Sequence, residues 1–156
     1  PAECAGVTPD EVVEHDGNLL MYGGVSCLWQ SLTGNGTASA GQTLTYFNNA
    51  NAAIGVGENS GTAAADTQTN LQGATIPRKA MDATYPLHSD GVVVGAASCA
   101  FKSTFSTSQA NFAWNEWGVF NSATAATGRM LNRKVESLGT KTSASTWALT
   151  VTLTLA

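Results

Sequence analysis

The C-terminal stretch Trp147-Ala148-Leu149-Thr150-Val151-Thr152-Leu153-Thr154-Leu155 decides the fold class of this sequence. Its odd-numbered positions are Trp, Leu, Val, Leu and Leu, and its even-numbered positions are Ala, Thr, Thr and Thr. Successive side chains of a strand point to opposite faces of a sheet, so this pattern predicts a strand with one apolar and one threonine face. A helical period would scatter the apolar residues around the cylinder. Such a strand needs neighbouring strands and a second layer over its apolar face.

The threonine face of this stretch carries no charge, because positions 146, 148, 150, 152 and 154 are Thr or Ala. A strand at the edge of a sheet normally carries charged residues, which prevent it from pairing with another chain. We therefore predict that residues 147–155 are internal to their sheet or packed against another chain.

The length and composition indicate a β-rich protein with an unusually neutral surface. The chain has 156 residues, and only 12% of them are charged, against a usual share of about 25%. A single domain of this size can bury a core without disulfides or metals. Five of the eleven acidic residues lie in residues 1–16, which contain no Lys or Arg. We predict a flexible acidic N-terminal arm over residues 1–16 and a single β-rich domain over residues 17–156.

Several partner classes are not indicated by the sequence. There is no basic patch for nucleic acid and no run of 18 apolar residues for a membrane. The three cysteines have no CxxC spacing, so neither a disulfide framework nor a zinc site is predicted. We expect Cys27 and Cys99 to be small core residues, whereas for Cys4, in the arm, exposure and disulfide pairing both stay open.

The remaining elements follow from periodicity and turn residues. Residues 17–33 predict a helix that Asp16 or Asn18 caps and Gly34 ends, with glycines that allow close packing on a sheet. Polar segments at residues 57–74 and 85–91 predict long loops. The predicted strands are Thr43–Phe47, Ala52–Val56, an edge strand at Arg78–Met81, Ala97–Phe105, Phe112–Phe120 and Arg129–Ser137. The last three are expected to form a meander that the C-terminal strand joins, which makes the fold mainly β: an antiparallel β-sandwich or jelly-roll-like domain with one N-terminal helix.

No pattern of catalytic residues is found. The two histidines, His15 and His88, lie in predicted polar segments without a nucleophile motif. The glycines of residues 55–61 lack the Lys-Ser/Thr of a phosphate-binding loop. Glu58, Asp66, Asp82 and Asp90 have no spacing typical of a calcium loop. We predict a chain without enzymatic activity, cofactor or metal.

The stretch Trp114-Asn115-Glu116-Trp117-Gly118-Val119-Phe120 is the most unusual in composition. Strict alternation places Trp114 and Glu116 on one face and Trp117 on the other. Three readings stay open: a strand buried on both faces, a subunit interface, for which Trp is favoured, and a platform that stacks sugars. Glu116 is expected to pair with Arg129, Arg133 or Lys134 on the neighbouring strand.

Three segments, Ala110–Asn121, Arg129–Lys134 and Trp147–Leu155, resemble small structural proteins of tailed bacteriophages. In those proteins a strand reading Asn-Glu-x-Gly-Val-Phe-Asn, a polar tip and a return strand that ends in an Arg/Lys pair recur. The resemblance covers most of residues 17–156, carries over no catalytic residue and does not include the acidic arm.

This resemblance implies a virion protein, most of all a capsid decoration (cement) protein that stabilises the head shell. The partners would be the major capsid protein and further copies of the chain, with a trimer as one arrangement. The alternative is a tail or fibre component that binds a host glycan or receptor. Candidate interface residues are Glu3, Asp10, Trp114, Glu116, Trp117, Arg129 and Arg133.

Overall fold

The computed structural model describes residues 17, 19–33, 46–89, 92–93 and 96–155. The fold is mainly β, with eight strands and one helix among these residues, as the sequence predicts. In chain order the elements are β1 (Leu19–Leu20), α1 (Tyr22–Thr33), β2 (Ala53–Gly57), β3 (Arg78–Ala80), β4 (Leu87–His88), β5 (Ser98–Phe105), β6 (Ala113–Phe120), β7 (Asn132–Thr140) and β8 (Trp147–Thr154).

The strands form two antiparallel sheets. One sheet has five strands in the order β1-β7-β6-β2-β3, and the other has three in the order β4-β5-β8. In the large sheet the full length of β2 pairs with β6, from Ala53 opposite Phe120 to Gly57 opposite Glu116. In the small sheet the full length of β5 pairs with β8, from Ser98 opposite Thr154 to Phe105 opposite Trp147.

The main core lies between the two sheets. The large sheet contributes Ile54, Val56 and Val119, and the small sheet contributes Phe101, Phe105 and Val151. All six residues are buried, because each sheet turns its apolar face toward the other. This is the layering expected of a sandwich. The apolar side of β8, predicted from its alternation, is thus confirmed as part of this core.

A second, smaller core lies on the other face of the large sheet. Met21, Leu71, Phe120 and Met130 pack there. Leu71 belongs to residues 58–77, which connect β2 to β3 and are called the covering loop below. The sequence predicted a long surface loop over residues 57–74, and the structure confirms a surface loop over residues 58–77. The sequence did not predict that Leu71 of this loop is buried on the sheet.

Helix α1 begins at Tyr22 and not at residue 17. Leu19 and Leu20 are taken into β1, where they pair with Arg133 and Asn132 of β7, and the Met21 amide then donates to the Leu131 carbonyl at 2.9 Å. The predicted close glycine packing is confirmed. A Cβ on Gly24 would lie 2.4 Å from the Leu131 Cα, so the helix backbone rests directly on the chain that leads into β7.

The predicted meander is wrong in its first step. β6 and β7 pair with one another, but β5 lies in the other sheet and pairs with β4 and β8. The aromatic strand β6 lies between β2 and β7, and both of its faces are covered. The chain therefore crosses between the sheets at residues 106–112, and sequence spacing alone does not reveal that crossing.

Three other predicted elements have mixed outcomes. The edge strand at residues 78–81 is confirmed as β3. His88, expected in a loop, lies in the two-residue strand β4, because it pairs with Cys99. Of the predicted strand Thr43–Phe47, the described residues Tyr46 and Phe47 are not in a strand. Residues 43–45, Gly34, the predicted arm (residues 1–16) and its His15 lie outside the described residues.

Strand β8 is an edge strand. Among the described residues it pairs with β5 on one side only. The prediction that it is internal to its sheet is therefore wrong for this part of the chain. The other branch of that prediction, packing against another chain, stays a prediction.

Candidate functional site

The described interface candidates lie inside the chain. The relative exposure is 1% for Trp114, 0% for Glu116, 6% for Trp117, 2% for Arg129 and 0% for Arg133. In the isolated chain these side chains are enclosed by the covering loop, by α1 and by the two sheets, so they are not exposed to a partner. The other two candidates, Glu3 and Asp10, lie outside the described residues.

Glu116 and Arg133 form a buried ion pair across β6 and β7. The Arg133 Nε and Nη2 atoms donate to the Glu116 Oε2 at 2.8 Å and 2.6 Å. Of the three partners predicted for Glu116, the structure selects Arg133. Both contacts reach the same carboxylate oxygen, so they fix the position of the guanidinium as well as the charge balance of the pair.

The same pair holds the covering loop on the sheet. Glu116 accepts hydrogen bonds from the backbone amides of Gln72, at 2.9 Å, and Gly73, at 2.6 Å. Arg133 donates to the carbonyls of Thr62, at 3.1 Å, and Ala63, at 3.0 Å. Arg133 also donates to Gln68 Oε1 at 2.9 Å. Polar groups of the covering loop thus compensate both charges, and the role of the ion pair is to hold this loop on the sheet.

Trp114 and Glu116 do not share an environment, although strict alternation predicts one face for both. The pairing of β6 with β7 is irregular between these residues. The Trp114 ring consequently lies in the main core, with its centroid 4.8 Å from that of Phe105 and 5.1 Å from that of Trp147. The irregularity separates an aromatic cluster between the sheets from the ion pair beneath the loop.

Arg129 lies beside α1 and not beside Glu116. Its Nη1 donates to the Ser26 hydroxyl at 3.1 Å, and its backbone amide donates to Asn121 Oδ1 at 2.6 Å. The neighbouring Cys27 is a buried core residue, as predicted. Burial raises the pKa of the Cys27 thiol, and the Arg129 guanidinium lowers it in part.

Arg78 fastens the tip between β6 and β7. Its guanidinium lies 3.6 Å from the centroid of the Phe120 ring. Its Nη1 atom donates to the carbonyls of Ser122, Thr124 and Thr127. Burial lowers the pKa of Arg78 to about 10. The sequence placed Arg78 in an edge strand and gave no sign of these contacts, because the tip lies more than 40 residues away in the chain.

The carboxylates considered for calcium do not converge in the described chain. Glu58 accepts from the backbone amides of Ala74 and Thr75, whereas Asp82 accepts from Thr104. Asp66 lies near Tyr22, whose pKa it raises by accepting a hydrogen bond. Within the described ranges no group of three His, Cys, Asp or Glu side chains could hold a metal. Asp90 is outside these ranges.

An open cavity of about 1120 Å³ lies at one end of the sandwich. Its apolar wall includes Leu20, Phe47, Phe101, Leu131 and Leu153 from both sheets and their connections. Polar and aromatic groups line another part of it, namely Asn48, Asn49, Tyr85 and His88. The volume is slightly above the usual range of ligand pockets, about 300–1,000 Å³. Sequence periodicity cannot reveal such a cavity, because residues from both sheets and their connections line it.

Large apolar side chains are exposed at the mouth of this cavity. Leu28, Tyr46 and Leu155 line it and are 41%, 69% and 65% exposed. We call these three residues the cavity rim. The last residues of β8, Leu153 and Thr154, also line the cavity, so the rim is continuous with the uncharged edge strand. Together they form the candidate functional surface, which suits contacts with another molecule.

The part of the chain that the structure describes contains no helix with the length and hydropathy to span a membrane. Comparison with protein-family models, with curated proteins and with solved structures found no match to this chain.

Proposed function

We propose that this chain is a non-enzymatic structural protein of a bacteriophage virion, of the capsid decoration type. One observation supports it most: the cavity rim and the uncharged edge of β8 form a continuous exposed surface. A surface that exposes large apolar side chains at its rim and carries no charge along its edge is suited to binding other macromolecules. The resemblance of Ala110–Asn121 and Trp147–Leu155 to virion proteins supports the assignment to a phage.

The mechanism is preferential binding to the assembled shell. A protein that binds the assembled state of a capsid and not its free subunits stabilises that state by mass action. The chain brings to this task a rigid scaffold, since the ion pair of Glu116 with Arg133 holds the covering loop on the sheet. The partners are the major capsid protein and further copies of the chain, and the location is the virion.

The copy number in purified virions tests this proposal. Quantitative mass spectrometry of virions should find hundreds of copies, and an antibody against the chain should label the heads in electron micrographs. A handful of copies, with label confined to the tail, would reject decoration of the capsid. Absence of the chain from virions would reject the virion role altogether.

A tail or fibre protein that binds a host glycan is the second candidate, and the aromatic part of the cavity favours it. The exposed ring of Tyr46 lies in the same cavity as Tyr85 and the Asn48 amide. Aromatic faces beside amides are suited to sugars, since pockets combine apolar contact with a few placed polar groups. Binding to host envelope polysaccharide, weakened in Tyr46→Ala and unchanged in Tyr22→Ala, would favour this candidate. Tyr22 is exposed but does not line the cavity.

A further inference from the structure

We propose that β8 pairs with β8 of a second copy of this chain. The two strands would run antiparallel about a two-fold axis and join two three-stranded sheets into one six-stranded sheet. Such a contact uses the same surface on both copies and closes at the dimer. The inference goes beyond the proposed function, because it concerns the purified chain and needs no virion.

The four sheet edges differ in how well they are protected. In the large sheet, β3 has three residues and carries Arg78 and Lys79, and β1 has two residues. In the small sheet, β4 also has only two residues. Short strands and charges are the usual devices that prevent pairing between edges. β8 has eight residues, without a charge or a proline, and its pairing with β5 is unbroken, so among the described strands it alone lacks these devices.

The outer face of β8 is suited to a copy of itself. Ala148, Thr150, Thr152 and Thr154 are all exposed there. An antiparallel pair would place these small residues opposite one another, and Thr–Thr pairs across strands are favourable. The sheet already contains one contact of this type, because the hydroxyls of Ser98 on β5 and Thr154 on β8 lie 2.7 Å apart.

Charge does not oppose this pairing. Lys102 lies directly opposite Thr150 on β5 and is the charged residue in register with the middle of β8. In the dimer, the two copies of Lys102 would be separated by three strand spacings, or about 14 Å. That distance exceeds the Debye length of about 8 Å at physiological ionic strength, so their repulsion is screened.

A second copy would bury more of the apolar inner face of β8. Val151 is buried, but Leu149 and Leu153 on either side of it are only half-buried. They pack against the edge of the main core. A second β8 would place the same two side chains beside them and remove more apolar surface from water.

The test is the oligomeric state of the purified chain. Sedimentation equilibrium over a wide concentration range should show a monomer–dimer equilibrium for the wild type. The double variant Ala148→Lys/Thr152→Lys avoids the position opposite Lys102 and should raise the dissociation constant at least about tenfold, because like charges would lie across the two-fold axis. Both side chains are exposed, so the variant should retain the fold, checked by circular dichroism.

The matched control is Thr67→Lys/Ala125→Lys, which adds the same charge at exposed positions of the covering loop and of the β6–β7 connection and should leave the equilibrium unchanged. Amide exchange measured at low and high concentration adds a second readout. Protection of residues 147–154 should increase with concentration in the wild type and not in the β8 lysine variant.

Four outcomes would overturn the proposal. These are a monomer at every concentration, a trimer or larger closed assembly, a dimer that the β8 lysines do not weaken, and protection of residues 147–154 that is already complete in the monomer. The last outcome would mean that another part of the same chain covers this edge. None of these results depends on copy number in virions, so failure here is distinct from failure of the proposed function.

Discussion

Removal of the charge on Glu116 should release the covering loop and destabilise the whole domain. The change is Glu116→Gln, which keeps the volume of the side chain. It leaves the Arg133 guanidinium buried without its counter-charge, and it replaces one acceptor oxygen with an N–H donor. That donor would face the amides of Gln72 and Gly73 or the guanidinium itself, all of which are donors.

The magnitude follows from the burial of the pair and from its other partners. Both side chains have 0% relative exposure, and breaking a buried ion pair from one side costs about 3–5 kcal/mol. Arg133 keeps three neutral oxygen acceptors in the loop, which favours the lower end of this range. We expect a loss of about 3 kcal/mol in the free energy of unfolding, or more than about a hundredfold in the unfolding equilibrium.

Urea unfolding followed by tryptophan fluorescence measures this loss, because Trp114 and Trp117 are buried reporters. Amide exchange of Gln72 and Gly73 reports release of the loop separately. Arg133→Lys is the milder companion variant: it keeps the charge but cannot reproduce the five hydrogen bonds of the planar fork. It should show an intermediate loss and stays measurable if Glu116→Gln does not fold.

The single variant Arg133→Met and the double variant Glu116→Gln/Arg133→Met complete a thermodynamic cycle with Glu116→Gln. The loss in the double variant should be smaller than the sum of the two single losses by about 0.5–3 kcal/mol, since removal of both charges leaves none buried alone. Single losses below about 1 kcal/mol would contradict a buried pair, since that is the range of exposed pairs. Unchanged protection of the Gln72 and Gly73 amides would contradict the anchoring role.

Three further predictions concern packing and the buried thiol. Gly24→Ala should destabilise the domain by about 1–3 kcal/mol, because its Cβ would lie 2.4 Å from the Leu131 Cα. Gly23→Ala in the same helix should stabilise the domain by about 0.5–1 kcal/mol. Equal urea midpoints for the two variants would refute the close approach of Gly24 to Leu131. Gly57→Ala should lower the melting temperature, because its Cβ would lie 2.5 Å from Glu116 Oε1, while Gly61→Ala, with nothing within 4 Å, should leave it nearly unchanged. Cys27 should resist iodoacetamide at neutral pH, because its raised pKa keeps the thiol protonated; rapid alkylation of folded protein, read by peptide mass spectrometry, would contradict this. Above about pH 9 the folded state binds more protons at this thiol than the unfolded chain does. The contribution of Cys27 to stability should therefore fall as the pH rises through that region.

Local patterns of sequence predicted much of the sheet content. Alternation predicted β8 and its apolar side, the Gly/Asn-rich segments predicted the turns, and the paired glycines predicted the close approach of α1. These predictions succeed because a period of two residues and the small size of glycine act within a few residues of the chain. The pairing of Glu116 with a basic residue on the neighbouring strand was also predictable, since a half-buried carboxylate requires a partner.

The structure decided what depends on distant segments. Whether β5 joins β6 or crosses to the other sheet depends on which strands bury the most apolar surface together, and local periodicity does not contain that information. The irregular pairing between Trp114 and Glu116 overrides strict alternation in the same way. The burial of Glu116 and Arg133 likewise follows from their contacts with the covering loop, whose polar composition predicts only a surface loop.

Strand β8 shows most clearly which features the sequence determines and which only the tertiary structure decides. Its sequence alone determines a strand with one apolar and one uncharged face, because side-chain orientation follows from backbone geometry. Its place at the edge of a three-stranded sheet was decided only by the tertiary structure, since that place depends on where β5 and the rest of the chain lie. The same neutral face that predicted a covered strand lies at an edge that no other described strand covers, and this makes it suited to a second copy of the chain.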